Sequence, residues 1–107
     1  MSAEFKLNFS DNAWYIENRR LIEEKIVSLK TFVTNDCIEY HLAGYEIKRQ
    51  PKDWLYDVRI FLRAKDLFIE ISAHPLSIET DLTLLFTWFR KQTQILIIDD
   101  DGEDSGW

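Results

Sequence analysis

The chain has 107 residues, 46% of them hydrophobic and 14% aromatic, with a formal net charge of −6. That length and apolar content suffice for one domain with a single core and exclude a disordered chain, while a single cysteine excludes an internal disulfide and fits a reducing compartment. No apolar run approaches the roughly 18 residues of a membrane span, and the start lacks a basic segment followed by an apolar one, so a soluble cytoplasmic protein without a signal peptide is expected.

Phe5, Leu7 and Phe9 alternate with Lys6 and Asn8, the period-2 mark of a half-buried strand over residues 4–9. Ser10, Asp11 and Asn12 supply turn chemistry. Trp14 and Ile16 continue the alternation and favour a hairpin with a second strand at 13–17, although Tyr15 also lies one helical step behind Ile22 and allows an earlier helix start. From Asn18 as N-cap, Ile22, Ile26, Leu29 and Val33 recur at spacings of four, three and four, which predicts a helix over 18–33 that ends at Thr34, Asn35 and Asp36. Arg19 with Glu23, and Arg20 with Glu24, belong to its solvated face.

Ile38, Tyr40 and Leu42 make the next strand, with Tyr45 and Ile47 resuming it beyond Gly44, and Cys37 is expected to be buried. Residues 48–53, with Pro51 among charges, read as a loop inside the domain. Residues 56–73 form the clearest hairpin: Tyr56, Val58, Ile60 and Leu62 face one way and are matched by Leu67, Ile69, Ile71 and Ala73. A tight turn at Ala64 and Lys65 would pair Arg63 with Asp66, Phe61 with Phe68 and Arg59 with Glu70 on the outer face. The Phe61/Phe68 pair reads either as an ordinary cross-strand contact or as an exposed binding patch.

Ser77 is the expected N-cap of a second helix over 77–92, with Ile78, Leu82, Leu85, Phe86 and Phe89 as its buried stripe. Leu84 and Trp88 widen the apolar arc, so this helix should touch more than the sheet. The unbroken run Ile95 to Ile98 reads as a strand covered on both faces, parallel in direction to the strand before the helix. The fold class is therefore α+β: one domain over residues 1–107, mainly an antiparallel sheet of five to six strands with two helices, about 18–33 and 77–92, and an acidic C-terminal end at 99–107.

That end holds Asp99, Asp100, Asp101, Glu103 and Asp104 and no base, leaving 14 acids against 13 bases in the rest of the chain. The acidity is local. Terminal acids are commonly solvated tails, but here they follow Ile98 without a spacer and end in Trp107, an aromatic of the kind enriched at interfaces.

No catalytic or metal motif accompanies them. Cys37 and His41, four residues apart on a strand, stand roughly 13 Å from each other at ~3.3 Å per residue and cannot form a local nucleophile and base. Two histidines and one cysteine without metal-ligand spacing make no zinc site. If Gly102 took the turn position of a calcium loop, the loop would run past Trp107, which excludes an EF-hand. No cofactor or metal is expected. Bases interleaved with acids speak against direct nucleic-acid binding. What the pattern supports is a surface for a basic protein partner, with Asp99, Asp100, Asp101, Glu103 and Asp104 as the charged element and Trp107, Trp54, Phe61 and Phe68 as apolar anchors.

The "DNAWYIEN" opening, the "DWLYDVRIFL" to "LFIEIS" hairpin and the "ILIIDDDGE" ending resemble the small acidic immunity proteins of bacterial polymorphic toxin systems, contact-dependent growth inhibition among them. The resemblance implies a non-catalytic cytoplasmic protein that binds and neutralises a cognate toxin domain, often a nuclease. The second reading is a self-associating structural or adaptor domain, a homodimer through the outer hairpin face or the Leu84/Trp88 side.

Overall fold

The computed structural model describes residues 3–46 and 56–107. The alternation of Phe5, Leu7 and Phe9 forms β1, Ala3–Phe9, with Leu7 and Phe9 buried. Two helices follow, α1 (Asn12–Glu17) and α2 (Arg19–Val27), so the expected strand at 13–17 is overturned. The reason is local. The Asp11 carboxylate accepts the Trp14 N–H at 3.1 Å and so starts a helix where the polar run promised a hairpin turn. Tyr15, Ile22, Ile26 and Leu29 then form one buried stripe, while Ile16 stays 57% exposed.

The helix expected over 18–33 stops at Val27, and Phe32–Asp36 is a strand, β2. Thr31 donates its amide and its hydroxyl to the buried Asp81 carboxylate at 2.8 and 2.7 Å, and an amide so engaged cannot extend the helical ladder. Val33 is consequently exposed. Strand β2 pairs with β3 (Glu39–Leu42) across a two-residue turn in which Cys37 takes a φ of 53° and is exposed, against the expected burial. Tyr45 is exposed and no longer in a strand. The remainder of that expected extension, Ile47, together with the 48–53 loop and Trp54, falls outside the described residues.

Strands β4 (Val58–Leu62) and β5 (Asp66–Ile71) form the expected hairpin in the expected register, Arg59 opposite Glu70 and Phe61 opposite Phe68. Helix α3 spans Leu76–Gln92 and buries the predicted Ile78, Leu82, Leu85, Phe86 and Phe89. Its cap differs from expectation: Ser77 lies within the first turn and donates its amide at 2.7 Å, and its hydroxyl, to the Glu46 carboxylate from outside the helix. These bonds hold the Glu46 carboxyl below its ordinary pKa. Trp88 packs on Trp14 of α1, so α3 does reach beyond the sheet.

The last strand, β6 (Ile95–Ile98), completes a six-stranded sheet of order β2-β3-β4-β5-β1-β6 with every neighbouring pair antiparallel. The fold is α+β, with three helices among the described residues, α1 being the addition to the two expected. Strand β6 runs in the direction of β5, as expected, but β1 lies between them. It is not covered on both faces: Ile97 is 3% exposed and Leu96 47%. The same holds across the sheet, where Leu7, Leu42, Ile60, Ile69 and Ile97 join the helices in one core and the alternate residues face away from it.

Helices and sheet are fastened by polar contacts at their ends as well as by apolar burial. Tyr15, wholly buried, donates its hydroxyl to the Arg63 carbonyl at 2.5 Å in the β4–β5 turn, and Arg19 donates to the Leu62 carbonyl at 2.9 Å. Gly44 donates its amide to the buried Asp57 carboxylate at 2.7 Å. A Cβ on Gly44 would lie 2.4 Å from Pro75 Cγ, so only glycine fits there.

Two outcomes follow from these contacts. Asp81→Ala should lower the unfolding free energy by about 2–3 kcal/mol, because it strands two buried donors of Thr31; urea denaturation reads it, and a loss below about 0.5 kcal/mol would refute the contact's importance. Burial pushes the Tyr15 hydroxyl up to about 12 from 10.0. The folded state thus keeps a proton that the unfolded chain releases, so this contribution is intact below pH 10 and is lost as pH rises from about 10 towards 12. The unfolding free energy should fall as pH rises across that window in the wild type and fall less in Tyr15→Phe, as urea denaturation at each pH measures.

Candidate functional site

Of the predicted site residues, Asp99 and Asp100 line a groove beside the outer face of the sheet, turned away from the helices, and that face carries Phe61 and Phe68. Alternation along β4 and β5 places Arg59 and Phe61 on it from one strand and Asp66, Phe68 and Glu70 from the other. The Phe61 and Phe68 rings lie 5.8 Å apart and are half-buried. Arg59 sits 5.5 Å over Phe61 and Arg63 5.0 Å over Phe68. Each arginine is also paired: Arg59 Nε donates to Glu70 at 3.0 Å, and Arg63 donates to both Asp66 oxygens at 2.6 and 2.7 Å. Those carboxylates raise both guanidinium pKa values above the ordinary range, chiefly through the hydrogen bonds. The aromatic strip is therefore roofed by cations whose charge is already answered, a mixed surface in place of a bare apolar patch.

Beside it opens a groove of about 580 Å³ lined by Glu4, Lys6 and Asn8 of β1, by Phe68, and by Asp99 and Asp100 beyond β6. Strand order creates this groove. Because β1 is paired on one side with β5 and on the other with β6, the acidic end arrives two strands from the hairpin.

The acidic end is itself folded. Asp99 donates its amide to the Glu103 carbonyl at 2.8 Å, Gly102 donates back to the Asp99 carbonyl at 3.0 Å, and Gly102 takes a φ of 80° that suits glycine. The Asp99 side chain accepts the amides of Asp101 and Glu103 at 2.9 and 3.0 Å. Asp104 bridges to Ile98, and its carboxylate accepts the Gly106 amide at 2.9 Å. Among the described residues no base forms an ion pair with any of the five carboxylates. Carboxylate oxygens of Asp99, Asp100 and Asp101 lie within 4.8 Å of one another and could hold a cation.

Trp107 is not brought to this face. Its ring packs edge-on against Phe5 and Phe86, at centroid distances of 6.2 and 5.3 Å, on the helix side of the sheet. Trp54 lies outside the described residues. Glu4, Lys6 and Asn8 are the members that the sequence pattern did not single out; their shared face was legible, their neighbours were not. Of the residues weighed for catalysis, Cys37 sits in the β2–β3 turn, and His41 lies on the outer face with its ring 4.2 Å from Tyr56 and its Nε2 against Glu39. No family model, curated protein or solved structure matches the chain. Among the described residues, no helix is long and apolar enough to cross a membrane.

The two kinds of acid in the turn should behave differently. Asp99→Ala, which removes a double acceptor, should cost about 1 kcal/mol, whereas Asp100→Ala should stay within about 0.5 kcal/mol of the wild type. Paired chemical denaturation measures both, and equal losses would show that the Asp99 contacts do not hold the turn.

Proposed function

We propose that this chain is a non-catalytic cytoplasmic inhibitor of the immunity type, which binds a cognate toxin domain through the acidic turn and the adjoining groove. The observation that carries this reading is the set of five carboxylates, held in a hydrogen-bonded turn and answered by no base among the described residues, beside the half-buried Phe68. Such a turn presents a fixed negative field, which accelerates encounter with a basic surface, and preorganisation limits the entropy lost on binding. A nuclease domain, whose own site must attract phosphates, is the partner class that this charge best complements. A lysine or arginine of that partner would lay its stem on Phe68 and its charge among Glu4, Asp99 and Asp100. The alternative of self-association through Phe61 and Phe68 is weakened by Arg59 and Arg63, which already cover those rings.

Co-expression with the product of the adjacent upstream gene should neutralise a toxicity of that product and yield a complex that copurifies. In the full-length chain, Asp100→Asn, Asp101→Asn and Glu103→Gln together leave the side-chain contacts of Asp99 and Asp104 intact. This triple variant should weaken binding at least about tenfold and flatten the dependence of affinity on salt. Unchanged affinity and salt slope would remove the acidic turn from the interface.

A further inference from the structure

We propose that the outer edge of β6 is a self-pairing edge and that residues 103–107 form a strap that keeps two copies of this chain from joining along it. Strand β6 ends the strand order. Residues 93–98, Thr-Gln-Ile-Leu-Ile-Ile, contain no charge, proline or glycine, which is the composition that makes an open edge associate. Leu96 adds exposed apolar surface on the outer face.

The strap meets this edge in a defined way. Ser105 donates its amide to the Ile97 carbonyl at 3.0 Å, and Asp99 donates its own to the Glu103 carbonyl at 2.8 Å, so that Ile98 and Asp104 stand opposite each other. Gly106, at a φ of 81°, turns the chain, and Trp107 wedges against Phe5 and Phe86. Arg90 donates to the main-chain oxygen of Trp107 and ties the strap to α3.

The acceptor and donor engaged by the strap, Ile97 C=O and Asp99 N–H, are each other's complement in a second copy. About a twofold axis through Ile98, the Asp99 amide of either copy would reach the Ile97 carbonyl of the other, and Ile98 would face its own counterpart. The occupant is therefore a second β6, antiparallel, replacing the strap bond for bond. The pairing would also bring Asp99 and Asp100 of one copy towards those of the other, and this repulsion is the second guard. Released edges should hence join more tightly as salt rises, the opposite sign to toxin binding.

The test uses the full-length chain with Ser105→Pro and Trp107→Ala together, which removes one strap amide and the wedge while keeping all five acids; Gly106→Val is a second, independent release. Hydrogen exchange at the Asp99 amide, read at protein concentrations far below the dimer Kd so that no second copy covers that amide again, reports the strap, and sedimentation velocity at higher concentration reports association. The wild type should be monomeric with a protected amide. Each variant should exchange faster and dimerise with a Kd at least about tenfold lower than the wild type, tightening as sodium chloride is raised, and Ile98→Asp in the same background should restore the monomer. A released amide in a molecule that stays monomeric overturns the proposal, as does a wild type already paired through β6 or a variant dimer indifferent to Ile98→Asp. An Asp99 amide equally protected in both variants and the wild type overturns the strap. Pairing with an added foreign strand peptide but not with itself overturns the choice of occupant.

Discussion

Strand β1 is hydrogen-bonded along both sides, to β5 over Ala3–Asn8 and to β6 over Lys6–Phe9. The rest of the molecule depends on that insertion. It separates β5 from β6, so that α3 must carry the chain past an intervening strand, and it fixes the distance between the aromatic hairpin and the acidic turn. Without β1 between them the groove lined by Glu4, Lys6, Phe68 and Asp99 would have no floor. A strand in such a position also leaves β6 at the margin of the sheet, with one long neighbour and one short strap.

Around this sheet, side chains that accept main-chain amides decide where elements begin and end. Asp11 opens α1, Asp81 takes the Thr31 amide just beyond α2, Glu46 receives the first turn of α3, and Asp57 receives Gly44. Two of these carboxylates, Asp57 and Asp81, are buried, and a buried carboxylate is tolerable only when hydrogen bonds replace its water. The acidic turn uses the same chemistry in the open: Asp99 spends one oxygen on two amides, while Asp100 and Asp101 are exposed. Structural and surface roles are thus divided among adjacent residues of one type.

How much of this could be read from the residues depended on how far each determinant lay along the chain. The β4–β5 hairpin was legible down to the Arg59–Glu70 and Phe61–Phe68 pairs, since its turn and its alternation are contained in the short stretch from Val58 to Ile71. The buried stripe of α3 was legible for the same reason. The end of α2 was not, because the carboxylate of Asp81 that holds Thr31 is 50 positions away. At Tyr15 the correct helical spacing was present but competed with an alternation carried by Trp14 and Ile16, and the cap at Asp11 settled it. The candidate site was half visible: the acids and the phenylalanines stood out by type, whereas their meeting, and the turning of Trp107 towards Phe5 and Phe86, follow from strand order, which no local pattern encodes.

The pairing of Lys6 with Ile98 joins positions about 90 residues apart. A ribosome synthesising this stretch would expose β1 well before β6 exists, with the Phe5, Leu7 and Phe9 side unsheltered meanwhile. Closing so long a loop is a slow search compared with hairpin formation. The β4–β5 hairpin can form first, offer β1 one ladder, and leave the other ladder waiting until the last strand emerges. The β1–β6 ladder thus closes after the β4–β5 hairpin, and until it does the chain is most open to mispairing.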